Sequence, residues 1–381
     1  MSDSLRVLTI GHSYVVGLNQ AVAAQTAKDP NIHLTLAAPA YDYGDLRRLR
    51  LGRTEHPDYK IVPLNARLTR WKHIFWYERK RLSELIANGN FDIVHNWEEP
   101  YTIAGYQIAN ITSKAGITQF FWTAQNLVKN YPWPFSKFER TVFAKSQCWV
   151  ACGELVRQAM VEKGYAESKS HIIPLAVDTN HFHPIDEAER SQVHDELSLA
   201  PPVIGFSGRL VADKGLEVLM KSLERVENGW SLLALGSGPY REKLLHWAAS
   251  RGLNGRIKIM LADHDQVARY IAALDVMVAP SLTTRHWKEQ FGRMITEAFA
   301  CGVPVVASDS GEIPYVVADA GVVVPEGNSQ ALAAAIDNLL SNPARRGQLA
   351  RAGRARAEST YSVPTIANQY VQLYHKLAEQ S

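Results

Sequence analysis

Two glutamates that lie eight positions apart, Glu289 and Glu297, have the clearest potential for chemistry in this chain. Gly292 lies between them and an apolar helical pattern covers 294–301, so we predict that a buried helix begins just after this glycine. The first turn of a helix favours an anion, because it presents free backbone N–H groups. Carboxylates accept hydrogen bonds from hydroxyl groups. The pattern therefore favours a ligand with both phosphates and hydroxyls, although two surface glutamates fit the spacing equally well.

A second group of residues suited to phosphate follows the predicted strand at 203–207. Gly208 precedes Arg209 there, and Lys214 stands before Gly215 and the next predicted helix. An arginine fork and a lysine ammonium both bind phosphate oxygens. Ordinary surface charges need no loop framed by glycines, so we interpret Arg209 and Lys214 as anion ligands.

The segment 286–315 resembles a known family in the order of its motifs. A Glu-x7-Glu pattern encloses Phe-Gly, and Glu-Ala, Cys-Gly-Val-Pro-Val-Val-Ala-Ser and Ser-Gly-Glu-Ile-Pro follow. This order resembles that of the GT4-type retaining glycosyltransferases, and the similarity is dense over 200–345. The resemblance implies the GT-B fold, an α/β architecture of two Rossmann-like, doubly wound domains with an interdomain cleft. It also implies hexosyl transfer with retention at the anomeric carbon, in which the leaving diphosphate itself takes the acceptor proton.

The resemblance further implies a site for a nucleoside diphosphate sugar, UDP- or GDP-linked, in the second half of the chain. Arg209 and Lys214 would neutralise the diphosphate, Glu289 would orient sugar hydroxyls, and Glu297 would hold the ribose diol. Arg209, Lys214 and Glu289 are the expected catalytic residues. The full expected donor-binding set is Gly208, Arg209, Lys214, Gly236, Leu261, Glu289, Phe291, Gly292, Arg293 and Glu297.

Neither a metal nor a cofactor is expected, because cationic side chains would neutralise the diphosphate. Asp263-His264-Asp265 mimics the metal-binding Asp-x-Asp of the other large glycosyltransferase fold. It directly precedes a helical pattern, so we interpret Asp263 or Asp265 as a helix cap. Cys148 and Cys152 lack partners at zinc spacing and lie in an apolar stretch, so we expect them to pack in the core.

The first half opens with a strand, turn, helix and strand of the doubly wound kind, and we expect acceptor-binding residues where its strands end. Many members of the family carry a histidine where this chain has Gln125, which cannot titrate. A plain connecting turn at His12 and a helix-start acid at Glu98 remain equally good interpretations. The acceptor-side candidates are His12, Gly17, His95, Glu98, Gln125 and Asn126.

A chain of 381 residues is too long for a single core, so we predict two domains. The segment around Asp178 resembles the segment that joins the domains of the family. We therefore expect an acceptor-side domain over 1–177 and a donor-binding domain over 178–362. A C-terminal helix over 363–381 is expected to cross back to the first domain.

Composition narrows the class of function. The formal net charge of +3 is too small to indicate nucleic-acid binding, and no apolar run approaches the roughly 20 residues of a membrane span. The N-terminus carries no export signal and the three cysteines form no disulfide framework, so a cytoplasmic protein is expected. Basic and aromatic residues at helical spacing over 67–81 suit either an interfacial helix on anionic lipid or an ordinary surface helix.

The predicted reaction moves a sugar from the nucleotide donor to a hydroxyl of a carbohydrate, lipid-linked or small-molecule acceptor, in glycan, glycolipid or polysaccharide biosynthesis. Two alternatives stay open. A sugar-nucleotide epimerase on the same fold would need no acceptor, and a non-catalytic sugar-nucleotide-binding protein would bind without turnover. The presence of both Glu289 and Glu297 argues against the second alternative.

Overall fold

The computed structural model describes residues 4–43, 48–52 and 55–380, apart from the side chains of His264 and Asp265. The chain divides into two compact units. The first comprises Met1–Pro174 with Val363–Ser381, and the second comprises Leu175–Ser362. A parallel sheet flanked by helices forms the body of each unit, as the alternation of apolar strands with amphipathic helices predicts.

In the described part of the first unit, seven strands form one parallel sheet. The strands of this unit are β1 (Leu5–Ile10), β2 (Ile32–Pro39), β3 (Tyr41–Tyr43), β4 (Arg48–Arg50), β5 (Lys60–Leu64), β6 (Ala66–Arg67), β7 (Trp76–Tyr77), β8 (Ile93–Asn96), β9 (Thr118–Thr123), β10 (Cys148–Ala151) and β11 (Ser170–Ile172). The sheet order is β11-β10-β9-β8-β1-β2-β5, and β3-β4 and β6-β7 are separate antiparallel ribbons. Since β1 lies between β2 and β8, the strand order reverses there, and such a switch point is where open α/β sheets bind ligands.

Helices connect these strands. They are α1 (Ala21–Thr26), α2 (Arg79–Asn88), α3 (Ile103–Lys114), α4 (Phe135–Lys145) and α5 (Glu154–Glu162). Thr102 caps α3, because its side chain accepts a hydrogen bond from the backbone N–H of Gly105. The inner strands β8 and β10 are buried at every position, which the apolar sequence of β10 predicts, whereas β8 also buries the polar side chains of His95 and Asn96.

The second unit repeats this architecture with a six-stranded parallel sheet among its described residues. Its strands are β12 (Val203–Ser207), β13 (Ser231–Leu235), β14 (Ile257–Met260), β15 (Val276–Ala279), β16 (Val305–Ser308) and β17 (Val322–Val324). Its helices are α6 (Glu187–Leu197), α7 (Leu216–Leu223), α8 (Tyr240–Ser250), α9 (His264–Ala272), α10 (Arg293–Ala300), α11 (Ile313–Val317), α12 (Ser329–Ser341) and α13 (Pro343–Arg356). The sheet order is β14-β13-β12-β15-β16-β17, so the switch point lies between β12 and β15.

The helix α14 (Val363–Glu379) follows the second unit in sequence but packs in the first, mainly against α1. Its apolar face repeats at helical spacing, and Ile366, Tyr370, Leu373 and Tyr374 are buried there. The helix thus completes the core of the first unit beside β1 and β8.

The predicted helix over 67–81 is wrong. The strands β6 and β7 pair as an antiparallel ribbon, with Ala66 opposite Tyr77, and α2 starts only at Arg79. Phe75 and Tyr77 are buried and two positions apart, which is the period of a strand. The amphipathic helix proposed as a membrane contact is therefore absent from the described residues. None of the described helices has the length and apolarity that crossing a bilayer requires.

Candidate functional site

In the second unit, the loops that follow β12, β13 and β15 meet at the carboxyl edge of the sheet. Gly236 has φ 152°, and a Cβ on this residue would lie 1.9 Å from the carbonyl oxygen of Gly208. Gly215 has φ 69°, and its Cβ would lie 1.8 Å from the carbonyl oxygen of Pro280. Only glycine allows the backbones to approach this closely. The glycines that frame the predicted phosphate loop therefore hold the three loops together.

The helix α10 begins where the sequence predicts. Gly292 occupies the N-cap position with φ 84° and ψ 59°, and Arg293 is the first helical residue. A Cβ on Gly292 would lie 3.7 Å from Cγ of Glu289, and one on Gly208 would lie 3.6 Å from Cε of Met294. The first turn of α10, where the helix presents backbone N–H groups, therefore lies beside the loop after β12.

Lys214 and Glu289 form a buried ion pair across 75 positions of sequence. The Lys214 Nζ donates to Oε2 of Glu289 at 2.5 Å, and the Ser281 Oγ donates to the same oxygen at 2.7 Å. The ammonium also lies 4.9 Å from the ring centroid of Trp287. Two of the three expected catalytic residues, Lys214 and Glu289, are thus each other's partners in this structure, and a bound ligand would have to share or replace that contact.

Arg209 differs from Lys214 in its surroundings. Its side chain is exposed, and no described acidic side chain forms an ion pair with it. The backbone carbonyl of Arg209 accepts from the N–H of Val211 at 3.0 Å, which fixes the tight turn of the loop. A guanidinium that no carboxylate neutralises is available for an anionic ligand.

The remaining donor-side candidates occupy different environments. Leu261 is exposed directly after β14, and Arg293 is exposed at the start of α10. Phe291 is buried, with its ring 5.6 Å from that of Tyr361, so its side chain belongs to the core. Only the backbone of Phe291 is left to contact a ligand.

Glu297 lies in the second turn of α10 and is half-buried. Burial raises the pKa of its carboxyl, while the nearby charges of Arg293 and His181 act in the opposite direction. Glu289, by comparison, is held by Lys214 and Ser281. The ribose role of Glu297 stays a prediction.

Sequence reasoning missed Ser281 and Trp287 as neighbours of the ion pair. Ser281 is buried just after β15, and its hydroxyl is directed at Glu289. Its position directly after a strand is the only sequence feature that could have indicated this contact. Trp287 lies two residues before Glu289 in the motif itself, where an aromatic residue gives no clue to a cation partner.

In the first unit, the structure brings His12 and Glu98 together at the switch point of the sheet. Glu98 is buried, and its carboxylate accepts from the backbone N–H of His12 at 2.7 Å and from its Nδ1 at 2.6 Å. The Tyr77 hydroxyl donates to the same carboxylate at 2.7 Å. Both alternatives, a plain turn at His12 and a helix-start acid at Glu98, fail to describe this contact, since the two side chains form a dyad.

His95, by contrast, does not project from the sheet edge as expected. It is buried, its ring stacks on Phe120 with centroids 4.3 Å apart, and its Nδ1 lies 3.1 Å from the Tyr374 hydroxyl. Burial lowers the pKa of His95 to about 3. The imidazole is therefore a neutral core group, because α14 covers the end of β8.

The buried neutral His95 predicts a pH-dependent loss of stability. An unfolded histidine takes up a proton below about pH 6.5, and the folded His95 does not until about pH 3. Above about pH 6.5 this group therefore leaves the free energy of unfolding unchanged, and below that pH the free energy of unfolding decreases as the pH falls toward about 3. The difference in unfolding free energy between wild type and His95→Gln, measured with denaturant, should shrink by about 2 kcal/mol from pH 8 to pH 5. An equal gap at both pH values would contradict this environment.

The other acceptor-side candidates lie apart from the dyad. Gln125 is buried after β9, and its Nε2 donates to Oε2 of Glu99 at 3.3 Å. Asn126 is buried beside it in sequence, whereas Gly17 is exposed at the start of a short 3-10 turn. Glu99, which the sequence also places among the acceptor-side residues after β8, accepts from the backbone N–H of Ala124 at 2.8 Å.

Within the described residues, no group of three or more His, Cys, Asp or Glu side chains is arranged to hold a metal ion. The three cysteines are buried free thiols, as the sequence predicts. Asp263 occupies the N-cap position of α9, so the predicted cap position is confirmed, although its side chain makes no capping hydrogen bond. The Asp265 side chain lies outside the described residues.

Residues 189–356 match the family described as Glycosyl transferases group 1, and residues 23–181 match Glycosyltransferase Family 4. A curated relative is the GDP-mannose-dependent monoacylated alpha-(1-6)-phosphatidylinositol monomannoside mannosyltransferase of Corynebacterium glutamicum, 33% identical over 198 residues. That alignment covers 50% of this chain and 52% of the relative, so this chain spans about half the length of the relative.

Solved structures of similar fold cover nearly the whole chain. A glycosyltransferase from Rickettsia africae superposes with a TM-score of 0.80 at 19% identity, over 99% of this chain and 100% of its own. The Anabaena protein HepE, solved in complex with UDP and glucose, gives a TM-score of 0.77 at 18% identity, over 98% of this chain and 100% of its own. At these identities the likeness shows the fold alone. From the two family matches and this fold, the chain belongs to the GT4-type glycosyltransferases, and its two Rossmann-like units are those of the GT-B fold.

Proposed function

We propose that this protein transfers a hexose from a nucleoside diphosphate sugar to a hydroxyl group of an acceptor, with retention at the anomeric carbon. One observation carries the proposal. The loop with Arg209, the Lys214–Glu289 pair and the first turn of α10 meet at the switch point of the second sheet. These groups suit a diphosphate that leaves with its negative charge.

The diphosphate has three cationic or dipolar partners in this arrangement. Arg209 is exposed and offers a fork of N–H donors, and the first turn of α10 offers backbone N–H groups. Lys214, whose ammonium is held in place by Glu289, supplies a further positive charge. Each donor that meets charge as it develops lowers the barrier by on the order of 3 kcal/mol. No metal is required for this task, because the side chains supply the positive charge.

The donor is proposed to be linked to GDP or UDP. The Corynebacterium glutamicum relative is named as GDP-mannose-dependent, and HepE was solved with UDP and glucose. The acceptor is proposed to be a carbohydrate or a lipid-linked sugar, since the named substrate of the relative is a phosphatidylinositol mannoside. Retention is proposed from the Glu-x7-Glu motif at Glu289 and Glu297.

Thermal unfolding with a panel of nucleosides, nucleoside diphosphates and their sugars tests the donor site. A ligand at 100 times its Kd stabilises the folded protein by about 2.7 kcal/mol, which raises Tm by several degrees. We expect GDP or UDP to raise Tm, and guanosine or uridine at equal concentration to leave it nearly unchanged, because the site recognises the diphosphate. Equal effects of nucleosides and diphosphates would contradict the proposal.

A second measurement separates transfer from binding alone. Once the panel has named the donor, release of nucleoside diphosphate is followed with and without a set of sugar and lipid-linked acceptors. We expect release to rise at least tenfold when an acceptor is present, and the anomeric configuration of the product to match that of the donor by NMR. Binding with no acceptor-dependent release, or an inverted product, would count against the assignment.

A further inference from the structure

Two loops of the first unit expose the rings of tryptophan residues. Trp71 lies in the loop 68–75 between β6 and β7 and is 54% exposed, and Trp133 lies in the loop 127–134 before α4 and is 79% exposed. Tryptophan is highly buried on average, because its ring is a large apolar surface. Two such rings in water on one unit indicate a surface that another body covers.

Contacts beneath the two loops join them to each other. The carbonyl of His73 accepts a hydrogen bond from the backbone N–H of Ile103 at 3.2 Å, and the ring of His73 lies 5.5 Å from that of Tyr101. The ring of Tyr101 in turn stacks on that of Tyr131, with centroids 4.2 Å apart and an interplanar angle of 14°. A row of three rings therefore leads from the first loop to the second, so the two loops belong to one surface.

The backbone of each loop is fixed beside its exposed ring. The carbonyl oxygen of Trp71 accepts from the N–H of Phe75 at 3.0 Å, and Phe75 is buried. Pro132 and Pro134 flank Trp133, and the carbonyl oxygens of both prolines accept from N–H groups in the first turn of α4. Both rings are therefore held outward by the fold, and little conformational freedom is lost when a partner covers them.

Positive charge accompanies both rings. The segments 66–77 and 128–137 contain basic residues and no acidic residue. Lys72 forms an ion pair with Asp42. The exposed cations of these segments that form no ion pair with a described acidic side chain are Arg67, Arg70, Lys129 and Lys137. The surface that carries the two rings is therefore electropositive.

The alternation of apolar and charged side chains decides which partner fits. The exposed Leu68 directly follows Arg67. The exposed Val128 directly precedes Lys129. The core of a protein–protein interface is depleted of charged residues, so this alternation does not suit one. An anionic bilayer accommodates both kinds of side chain, because tryptophan rings lie at the level of the headgroups and Lys and Arg are attracted to the negative lipid surface.

We propose that these two loops form a docking surface for a membrane leaflet that contains anionic phospholipid. Trp71 and Trp133 enter the headgroup region, and the four unpaired cations contact lipid phosphates. The docking side chains stand on loops, so no helix has to lie along the membrane. Binding to lipid requires neither a sugar donor nor turnover, so this proposal goes beyond the proposed sugar transfer and can fail or hold independently of it.

Co-sedimentation of the full chain with vesicles tests the docking surface. The vesicles contain phosphatidylcholine alone or phosphatidylcholine with about one third phosphatidylglycerol. We expect wild type to bind the anionic vesicles at least tenfold more tightly than the neutral ones, because each unpaired cation contributes about fivefold. Binding should weaken strongly in 1 M salt, where the Debye length is about 3 Å. Equal sedimentation with both kinds of vesicle would overturn the proposal.

The double variant Trp71→Ser with Trp133→Ser tests the contribution of the rings. Binding to the anionic vesicles should fall at least tenfold, since the apolar surface that enters the headgroup region is lost. Tyr315→Ser is the matched control, because Tyr315 is an exposed aromatic residue on α11 of the second unit, and it should bind within twofold of wild type. A tryptophan double variant that binds within threefold of wild type would contradict the proposal.

The double variant Arg67→Gln with Arg70→Gln tests the contribution of charge. It should bind about 25-fold more weakly, at about fivefold for each cation. Arg345→Gln with Arg351→Gln removes the same charge from exposed positions on α13, and it should bind within threefold of wild type. Equal losses in the two double variants would show that only the net charge matters, and the docking surface would then be wrong.

Two further measurements exclude other causes. All the replaced side chains are exposed, so thermal unfolding of each variant should match that of wild type. Anionic vesicles with brominated acyl chains should quench part of the tryptophan emission of wild type, and the tryptophan double variant should lose this quenching. A wild-type dimer that the tryptophan double variant cannot form would make the surface an interface between two copies of the chain and would overturn the assignment to lipid.

Discussion

Arg209→Ala is expected to lower kcat/KM for the nucleotide sugar by about 100- to 1,000-fold. The exposed guanidinium of Arg209 lies on the loop that Gly208 and Gly236 hold against the first turn of α10. Its charge would stabilise the diphosphate most strongly when the sugar has left, so kcat should fall along with kcat/KM. Steady-state kinetics at saturating acceptor measure both constants.

The fold should not change in this variant, because an exposed side chain without a described ion pair contributes little to stability. Arg209→Lys keeps the charge but loses the planar fork, so its rate should lie between those of wild type and alanine. Arg241→Ala is the matched control, since Arg241 is an exposed arginine in the first turn of α8 of the same unit. A rate for Arg209→Ala within threefold of wild type would remove Arg209 from the site.

Lys214→Met is expected to destabilise the protein by about 3–5 kcal/mol, because it leaves the buried carboxylate of Glu289 without its cation. Both side chains are buried, and the Ser281 Oγ would still donate to that oxygen. Denaturant unfolding of wild type and the variant measures the loss.

The double variant Lys214→Met with Glu289→Gln separates stability from activity. With both charges removed, most of the lost stability should return, since a buried ion pair contributes little net stability against a neutral replacement. The rate of sugar transfer should stay low, because the ammonium that would neutralise the diphosphate is gone. Lys221→Met, which affects an exposed pair with Glu217 on α7, should change stability by no more than about 0.5 kcal/mol. A double variant as unstable as Lys214→Met would show that the ion pair is not the cause.

The elements that the sequence predicts well are those with a local signal. The strand predicted over Leu5–Ile10, which ends at Gly11, has the observed bounds of β1. Gly292 marks the start of α10 through its position before an apolar helical pattern. Strand, turn and helix alternate in both halves, so the two doubly wound sheets follow from the pattern alone.

The prediction over 67–81 failed because two periods overlap there. Trp71 and Phe75 are four positions apart, as on one helix face, whereas Phe75 and Tyr77 are two apart, as on one strand face. The pairing of Ala66 with Tyr77 decides in favour of the strand. A short ribbon of this kind depends on its partner strand, which periodicity in one segment does not show.

In the candidate site, the sequence pattern also fails to distinguish between polar residues at strand ends. His12, Glu98 and His95 all follow or end strands at one edge, so the sequence gives them the same prediction. The structure separates them, since Glu98 turns inward to hold His12 and α14 covers His95. The Lys214–Glu289 pair spans 75 positions and has no local signal at all. Partners between distant segments follow from tertiary contacts, which a pattern along the chain does not contain.

The packing of α14 in the first unit determines which unit can complete its fold first during synthesis. The second unit is one continuous stretch, Leu175–Ser362, whereas the first needs residues made after it. On the ribosome, the later stretch can therefore finish folding while the earlier one still waits for Tyr370 and Tyr374 to close over His95. A nascent chain halted before Val363 would expose apolar surface at that waiting core, which is the kind of surface that chaperones bind.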